Sequence, residues 1–272
     1  MTKERVDILA TRAGLFETRE KAKRAIMAGL VVNEKNGERF DKPGEKIPSG
    51  TSFRIKGEVL PYVSRGGLKL EKALKIFDFT IEGKIVLDIG ASTGGFTDVA
   101  LQNGARLSYA LDVGTNQLAW KLRNDPRVVV MEQTNFRYSE PKDFMDGLPQ
   151  IATIDVSFIS LSLILPPLHK ILTMDGDVMA LIKPQFEAGK ENVGKNGIIR
   201  DKKVHQAVIE AVLEMAKKTR FDVCGLDFSP ITGGAGNIEF LAHLRKTKEM
   251  GKVNEQINVK DVVEEAHAIF DE

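Results

Sequence analysis

Four charged residues that lie far apart in the chain are of the types that could move a proton together. They are Lys69 in SRGGLKLEKAL, Asp155 in ATIDVSF, Lys183 in ALIKPQFE and Glu239 in GNIEF. Two amines and two carboxylates form neither a hydrolase triad nor a typical metal site. They suit the removal of a proton from a weakly acidic hydroxyl group beside a positively charged methyl donor. The sequence therefore predicts a Lys-Asp-Lys-Glu site.

Each of these four residues also has a structural interpretation when it is taken alone. Lys69 lies in a predicted helix, where it could be a surface lysine, and Asp155 could cap the next helix. Lys183 precedes a proline, which is a common loop position for lysine. Glu239 falls within a predicted apolar strand and is harder to dismiss, because an unpaired buried carboxylate is costly. The functional interpretation depends on the fold bringing the four together.

A buried strand at residues 84–89 leads into the glycine-rich loop GASTGG and then into an amphipathic helix at 97–101. This is typical of the first βα turn of a Rossmann-like sheet. The spacing departs from the G-x-G-x-x-G pattern that binds a pyrophosphate. Asp88 at the strand end would repel a pyrophosphate but suits the ammonium and sulfonium groups of S-adenosylmethionine. Asp112 ends the second strand, where such folds place the carboxylate that binds ribose hydroxyls; either acid could instead cap a helix.

The rest of the chain alternates predicted strands with predicted helices, which indicates an α/β fold with a doubly wound sheet. The predicted strands are 107–112, 127–131, 151–155, 176–182, 221–228 and 238–244, and the helices are 117–123, 161–172 and 203–219. Ligands bind such sheets outside the carboxyl ends of the strands. Because Asp88, Asp112, Asp155 and Lys183 all fall at such ends, we expect them to converge on one crevice.

The amino-terminal part of the chain is basic. Residues 1–75 carry 17 Lys and Arg against 10 Asp and Glu, a net charge of +7, whereas the remainder carries 22 against 28, a net charge of −6. Clustered positive charge attracts phosphate backbones, although it can also be a solvated helical face. A helix from Thr18, a stop at Gly29, and strands at 30–33 and 51–55 predict a small α+β module.

Composition narrows the function further. The single cysteine, Cys224, excludes an internal disulfide framework, and we expect a cytoplasmic protein. The start of the chain has no signal-peptide pattern, and no window approaches 18 uninterrupted apolar residues, so we expect no membrane span. Four scattered histidines without spaced partners predict no metal site.

Two resemblances add to this interpretation. The segment RVDILATRAGLFETREKAKRAIMAGLVVN resembles the S-four-like RNA-binding domain. The motifs YVSRGGLKLEKAL, VLDIGASTGGFTD, ATIDVSFISL, LIKPQFE and GNIEFL, in this order, resemble the haemolysin A (TlyA) type RNA 2′-O-methyltransferases, which are similar to the FtsJ rRNA methyltransferases. The resemblance implies a Rossmann-like class I methyltransferase domain. The implied domains are 1–58 for RNA binding, 59–246 for methyl transfer and 247–272 as a helical tail.

The resemblance also implies roles for individual residues. Lys69, Asp155, Lys183 and Glu239 would be catalytic. From their positions we further expect Lys183 to be the base that takes the proton of a ribose 2′-hydroxyl. The sulfonium and Lys69 favour a neutral amine at Lys183, whereas Asp155 and Glu239 oppose it, and the sequence leaves open which effect is larger. The implied S-adenosylmethionine contacts are Asp88, Gly90, Ser92, Gly94 and Asp112, with Asn135 standing where an acid often binds the adenine amino group. The basic positions that match the RNA-binding domain are Arg5, Arg19, Lys23 and Arg24, and Arg65 and Lys195 are further candidates for phosphate contacts.

The implied substrate is ribosomal RNA, with cytidine as the expected target in one or both ribosomal subunits. Two alternatives remain from the sequence: a membrane-active haemolysin, which no spanning segment or strongly amphipathic basic helix supports, and an RNA-binding protein without catalysis. Residues 184–201 could be a mobile lid or a plain surface loop. The oligomeric state and the base specificity are not readable from these motifs.

Overall fold

The computed structural model describes residues 2–56, 60–189, 193–194, 197–233 and 236–270. The chain divides into two compact units, Met1–Pro61 and Tyr62–Glu272, here called the amino-terminal and carboxy-terminal units. Lys195 lies outside the described residues. The predicted phosphate contact of this lysine therefore remains a prediction.

The amino-terminal unit packs two helices against two small antiparallel sheets. Its elements are β1 Lys3–Arg5, α1 Val6–Arg12, α2 Arg19–Met27, β2 Val31–Asn33, β3 Lys46–Pro48 and β4 Phe53–Ile55. Strand β1 pairs with β3, and β2 pairs with β4. The α+β character agrees with the sequence prediction. The strands β1 and β3 were not predicted, because each has three residues and neither contains an apolar run.

Helix α2 begins where the sequence predicted. The Thr18 hydroxyl accepts a hydrogen bond from the Lys21 amide at 3.3 Å, which satisfies one free N–H of the first turn. Ala22 and Ile26 lie on the buried face, and Gly29 adopts a positive φ of 69° just after the helix. This left-handed conformation ends the helix at little cost for a residue without a side chain.

The carboxy-terminal unit contains one large sheet with helices on both faces. Its elements are α3 Gly67–Ile76, β5 Ile85–Ile89, α4 Gly95–Gln102, β6 Leu107–Leu111, α5 Trp120–Arg123, β7 Val128–Met131, β8 Ile151–Ile154, α6 Leu165–Ile171, β9 Asp177–Ile182, α7 Pro184–Glu187, α8 Lys202–Lys218, β10 Phe221–Phe228, β11 Phe240–Lys246 and α9 Val259–Phe270. The predicted helix at 161–172 is in fact a 3-10 turn, Leu161–Leu163, followed by α6. Two prolines occupy the first turn of α6, which is the helical position that proline tolerates.

The described strands of the large sheet run in the order β10-β11-β9-β8-β5-β6-β7. Strands β9, β8, β5, β6 and β7 are parallel, and β11 is antiparallel to both of its neighbours. From β5 the chain builds outward through β6 and β7 on one side and through β8 and β9 on the other. A crevice forms at the carboxyl ends of strands where the order reverses in this way. The sheet therefore supplies a ligand site beside the end of β5.

Apolar side chains on both faces of the sheet form the core of this unit. In β5, Leu87 and Ile89 pack into the cluster that contains α6 and α8, and Val86 packs into the cluster that contains α4. A strand buried on both faces is typical of a parallel sheet. Asp88 lies on the face of Val86, toward α4. The tail helix α9 completes the α8 side of the core, with Val263 and Ala266 buried.

Candidate active site

The four charged residues predicted as a site lie in one continuous line. Lys183 Nζ is 2.5 Å from Asp155 Oδ1. Lys69 Nζ is 3.4 Å from Asp155 Oδ2 and 2.6 Å from Glu239 Oε2. Amines and carboxylates therefore alternate along the line. When all four groups are ionised the cluster carries no net charge, which reduces the cost of burying it.

Four separate elements supply the members of this line. Asp155 directly follows β8, Lys183 follows β9 and begins α7, and Lys69 lies in the first turn of α3. Glu239 directly precedes β11, whereas the sequence placed it inside a strand beginning at residue 238. The side chains of Lys69 and Glu239 are 8% and 2% exposed, and those of Asp155 and Lys183 are 21% and 10% exposed. The Asp155 and Lys183 end of the line is therefore the end nearer to solvent.

A glycine makes room for the buried end of the line. A Cβ atom at Gly233 would lie 2.1 Å from Glu239 Oε1, well inside van der Waals contact. Any side chain at this position would displace the carboxylate from Lys69. The close approach of Gly233 to Glu239 is a constraint that the local sequence does not reveal.

The glycine-rich loop after β5 approaches the same place. Gly90 has a φ of 85°, and a Cβ atom there would lie 2.3 Å from the Asp155 carbonyl oxygen. Gly94 caps α4 with a φ of 98°, and a Cβ atom there would strike Leu122 at 2.3 Å. Ser92 is a non-glycine residue with a positive φ, 48°. The close approach of Gly90 to the Asp155 carbonyl places the loop backbone against the end of β8.

Asp88 is buried beneath this loop. Its Oδ2 accepts hydrogen bonds from the Thr97 amide at 3.0 Å and the Thr97 hydroxyl at 2.7 Å, and its Oδ1 accepts one from the Thr153 hydroxyl at 3.2 Å. Burial raises the pKa of Asp88 to about 7, against the opposing effect of these hydrogen bonds. The carboxylate therefore ties β5, α4 and β8 together. Its predicted contact with a ligand ammonium group remains a prediction.

Asp112 joins the second strand to the glycine-rich loop. Its Oδ2 accepts a hydrogen bond from the Ser92 amide at 2.8 Å, and its Oδ1 accepts one from the Gly114 amide at 2.7 Å. Asn135 follows β7, and its side-chain oxygen accepts a hydrogen bond from the Arg137 amide at 3.2 Å. That oxygen can accept a second hydrogen bond, so the predicted adenine contact stays open.

Two adjoining cavities connect these residues to the charged line. One of about 370 Å³ is lined by Gly90, Ser92, Asp112, Asn135, Asp155 and Phe158, among others. The other, of about 300 Å³, is lined by Ser64, Asp88, Gly90, Ser92, Asp155 and Lys183, among others. Because Asp155 lines both, the crevice at the end of β5 opens directly onto the charged line. The converging residues are thus those that the strand-end argument selected.

The sequence profile of the FtsJ-like methyltransferase family matches residues 62–246 of the chain. The chain belongs to this family. The match covers most of the carboxy-terminal unit and contains all four residues of the charged line. The FtsJ-like methyltransferases use S-adenosylmethionine as the methyl donor, and this chain is one of them.

Relatives are similar over nearly the whole chain, which places it in the haemolysin A (TlyA) group. The Bacillus subtilis protein YqxC, named provisionally as an rRNA methyltransferase, is 59% identical over 99% of this chain and 96% of its own length. The Mycobacterium tuberculosis protein named 16S/23S rRNA (cytidine-2′-O)-methyltransferase TlyA is 40% identical over 89% of each chain. A solved structure from Streptococcus thermophilus, titled provisionally a hemolysin, is 64% identical, covers 100% of this chain and 98% of its own, and superimposes with a TM-score of 0.79.

The crevice of this FtsJ-like chain fits S-adenosylmethionine. The cavities together reach the size range of small-molecule sites. Gly90 and Ser92 line both cavities, and the loop that contains them lies at the amino terminus of α4. Asp112 lies at the end of β6, where such folds place the carboxylate that binds ribose hydroxyls. These observations favour the cofactor-binding residues predicted from the sequence.

Several residues that surround the site were not predicted from the sequence. Ser157 accepts a hydrogen bond from Lys183 Nζ at 3.2 Å. Phe158 is 91% exposed, has a positive φ of 63° and lies against Phe186 with ring centroids 4.9 Å apart. Glu187 binds the segment after Phe158, and Asn237 binds the backbone of Ile199 and Gly197. The only sequence signal for Ser157, Phe158 and Glu187 is that they lie within the motifs ATIDVSFISL and LIKPQFE.

The predicted RNA contacts of the amino-terminal unit include two arginines held by a buried acid. Arg5 and Arg19 donate from Nε to Asp7 at 2.9 Å and 2.8 Å. The hydrogen bond from Arg5, followed by that from Arg19, lowers the pKa of Asp7 to about 2 despite burial. The arginine side chains remain 40% and 46% exposed. Asp7 thus fixes both guanidinium groups at the surface.

The other basic candidates differ in their surroundings. Lys23 forms an ion pair with Glu20 at 2.6 Å. Arg24 is exposed on α2. Arg65 is exposed in the turn that precedes α3, between Ser64 and Gly66, which line the smaller cavity. Among the described residues, no helix is long and apolar enough to cross a membrane, and no group of three or more His, Cys, Asp or Glu residues could hold a metal ion.

Proposed function

We propose that this protein transfers a methyl group from S-adenosylmethionine to the ribose 2′-hydroxyl of cytidine in ribosomal RNA. The observation that carries the proposal is the line of Lys183, Asp155, Lys69 and Glu239, which opens onto the crevice of the glycine-rich loop. A ribose hydroxyl is a poor nucleophile, so its methylation needs a group that removes the proton. Lys183 stands at the solvent end of the line, where a hydroxyl could reach it.

When bound, the cofactor would supply an electrophilic methyl group on a sulfonium, whose S–C bond would break as the O–C bond forms, with the electron pair staying on sulfur as a neutral thioether. Lys183 Nζ, in its neutral form, takes the hydroxyl proton as the oxygen gains the methyl group, and the amine becomes an ammonium. Asp155 and Ser157 orient Nζ through contacts of 2.5 Å and 3.2 Å, and Asp155 stabilises the ammonium that forms. Lys69, held by Glu239, balances the charge of Asp155 from the other side. Each residue of the line thus has a separate task.

Ribosomal RNA is supported as the substrate by the relatives and by the charge of the chain. The relative from Mycobacterium tuberculosis is named for cytidine 2′-O-methylation of 16S and 23S rRNA, and 89% of this chain aligns with it. The surface arginines fixed by Asp7 supply cations to a phosphate backbone. We therefore assign RNA binding to residues 1–58, with Arg5, Arg19, Lys23 and Arg24, and methyl transfer to 59–246, followed by the tail at 247–272. A ribosomal substrate favours a cytoplasmic location.

The decisive test is transfer of labelled methyl groups from S-adenosylmethionine to isolated small and large ribosomal subunits that lack the modification. We expect label on the ribose of a cytidine in at least one subunit, located by nuclease digestion and mass spectrometry. Label on a base, or on neither subunit, would refute the proposal. The Lys183→Ala variant is the negative control, because it removes the proposed base and leaves the residues of the cofactor crevice in place.

A further inference from the structure

Glu187, the last residue of α7, lies four positions after Lys183 and binds a different segment of the chain. Its Oε1 accepts a hydrogen bond from the Leu161 amide at 2.8 Å, and its Oε2 accepts one from the Ser160 hydroxyl at 2.7 Å. Burial raises the pKa of Glu187, and these hydrogen bonds oppose that shift. A carboxylate kept in such a position supplies two acceptors in a fixed geometry.

Glu187 adds to other contacts between α7 and the loop at 155–161. Lys183, at the start of α7, contacts Asp155 and donates a hydrogen bond to Ser157, and the ring of Phe186 contacts the ring of Phe158. Glu187 then binds the far end of the loop. The two segments are thus joined at successive points, from the reacting end of the charged line to the beginning of the 3-10 turn.

The loop between these contacts has a conformation that needs support. Phe158 has a positive φ of 63°, which is unfavourable for a bulky side chain, although 91% of its surface is exposed. Such a conformation persists only where neighbouring contacts enforce it. Phe186 contacts the ring of Phe158, and Glu187 accepts hydrogen bonds from Ser160 and Leu161. Without the Glu187 carboxylate, the contacts of Lys183 with Asp155 and Ser157 would hold one end of the loop, and the ring contact of Phe158 would remain as its other link to α7.

We propose that Glu187 is a positioning residue for methyl transfer, whose carboxylate fixes the loop at 155–161 against α7 and thereby sets the place of Asp155 relative to Lys183. The inference rests on the proposed function, and it adds a residue that touches neither Lys183 nor Asp155 in the described contacts. The effect of Glu187 then comes from the geometry of its two hydrogen bonds and not from its negative charge. A glutamine could reproduce that geometry, because its carbonyl can accept from Leu161 and its amide can donate to Ser160.

The test compares Glu187→Ala with Glu187→Gln in the full chain. The first measurement is the single-turnover rate of methyl transfer to ribosomal subunits at saturating S-adenosylmethionine. The second is the affinity for S-adenosylmethionine, by calorimetry. Glu265→Ala, an exposed acid on α9, is the matched control for loss of one carboxylate. A separate reporter, Phe158→Trp in a Trp120→Phe background, follows the loop by fluorescence anisotropy and requires no RNA.

We expect Glu187→Ala to lower the rate by about tenfold, which corresponds to the loss of two hydrogen bonds. The cofactor affinity should stay within about twofold, a change well below 1 kcal/mol. The reporter should become more mobile. Glu187→Gln should restore both the rate and the reporter signal, and Glu265→Ala should change neither. This combination separates positioning from a general loss of structure.

Several results would overturn the inference. One is an unchanged rate and reporter in Glu187→Ala, another is an equal loss of cofactor affinity, and a third is a glutamine variant as weak as the alanine variant. If Glu187→Ala does not fold, Ser160→Ala removes one of the two hydrogen bonds and should give a smaller change of the same kind; no change would count against the proposal. If the wild-type chain transfers no methyl group, the proposed function fails, whereas the reporter still tests the loop.

Discussion

Lys183 could serve the reaction as a proton acceptor or as a fixed positive charge, and two substitutions separate these roles. Lys183→Ala removes the amine, and Lys183→Arg keeps a positive charge that cannot be lost in water. If Lys183 is the base, both variants should lose about 10² to 10⁴ in the rate of methyl transfer. The measurement is single-turnover transfer to ribosomal subunits, with cofactor affinity measured in parallel.

The exposed Lys170 on α6 provides the control for this prediction. Lys170→Ala should keep the wild-type rate, because the residue lies outside the charged line. An arginine variant of Lys183 with most of the activity would contradict proton transfer and would favour a purely electrostatic role. An alanine variant that also loses the cofactor would place Lys183 in the binding site rather than in the chemistry.

Asp88 makes a pH dependence of stability predictable. Its pKa in the folded chain is raised to about 7, above its usual value of 3.8. Between these values the folded chain holds a proton that the unfolded chain has released, so the free energy of unfolding falls as pH rises from about 4 to about 7. Asp88→Asn can keep the hydrogen bonds to Thr97 and Thr153 and removes this titration.

We therefore expect Asp88→Asn to be more stable than the wild type at pH 8 by about 2 to 4 kcal/mol, and to differ less at pH 4. Urea unfolding at the two pH values measures this difference. A variant less stable at pH 8 would contradict the assigned burial effect. The affinity for S-adenosylmethionine, measured on the same variant, tests the separate prediction that the Asp88 charge binds the ligand ammonium.

Strand ends were sufficient to predict that Asp88, Asp112, Asp155 and Lys183 line adjoining cavities, but not that Ser157 and Phe158 do so. They could not predict the order of the line, in which Asp155 stands between two lysines. That order depends on where α3 packs, which is a tertiary contact with no local signal. The requirement for a glycine opposite Glu239 has the same origin. The hydrogen bonds from Ser160 and Leu161 to Glu187 were also not predicted, because the sequence pattern does not specify the conformation of the loop that they join to α7.

At the scale of elements, α1 and α2 of the amino-terminal unit are joined by the buried Asp7 and the two arginines that it holds. Preorganised arginines bind phosphate at a lower entropic cost than mobile ones. Asp7→Asn removes a negative charge, which by charge alone would strengthen RNA binding, yet it also releases Arg5 and Arg19. We expect preorganisation to dominate, so this variant should bind ribosomal RNA more weakly, by about threefold to tenfold.

Glu20→Gln is the matched comparison, because it removes the same charge from the same unit. It frees Lys23 without touching the two arginines, so it should bind RNA as tightly as the wild type or more tightly. Affinities are measured at one salt concentration by filter binding or anisotropy. Equal effects of the two variants would show that charge, and not the fixed arginines, controls binding.

The elements with apolar periodicity were predicted, and those defined by long-range contacts were not. Helix α2, and strands β5 and β10 in the large sheet, agree closely with prediction because each has a buried face or a capping residue. Strand β11 begins two residues later than predicted, at Phe240. Residues 238 and 239 precede the strand, and the Glu239 carboxylate lies close to Gly233. The antiparallel direction of β11 could not be predicted, because direction depends on the connection and not on strand composition.

At the scale of the whole molecule, we expect the basic amino-terminal unit and the charged line to control different steps of the reaction. Residues 1–61 carry 13 Lys and Arg against 9 Asp and Glu, a net charge of +4, and the remainder carries 26 against 29, a net charge of −3. Affinity for RNA depends on the number of phosphates neutralised, whereas the rate after binding depends on the charged line. Variants of the two groups should therefore change different kinetic constants.

Arg24→Gln tests this separation at a single exposed position on α2. We expect it to raise KM for ribosomal subunits, to leave kcat near the wild-type value, and to reduce the slope of log affinity against log salt by about 1. Arg106→Gln, an exposed arginine of the carboxy-terminal unit, serves as the control and should leave the slope unchanged. Combined with Lys183→Ala, which lowers kcat, the effects of Arg24→Gln should add in free energy. If Arg24→Gln lowered kcat without changing the salt slope, the residue would act on the chemical step, and the division of tasks between the two parts of the chain would be wrong.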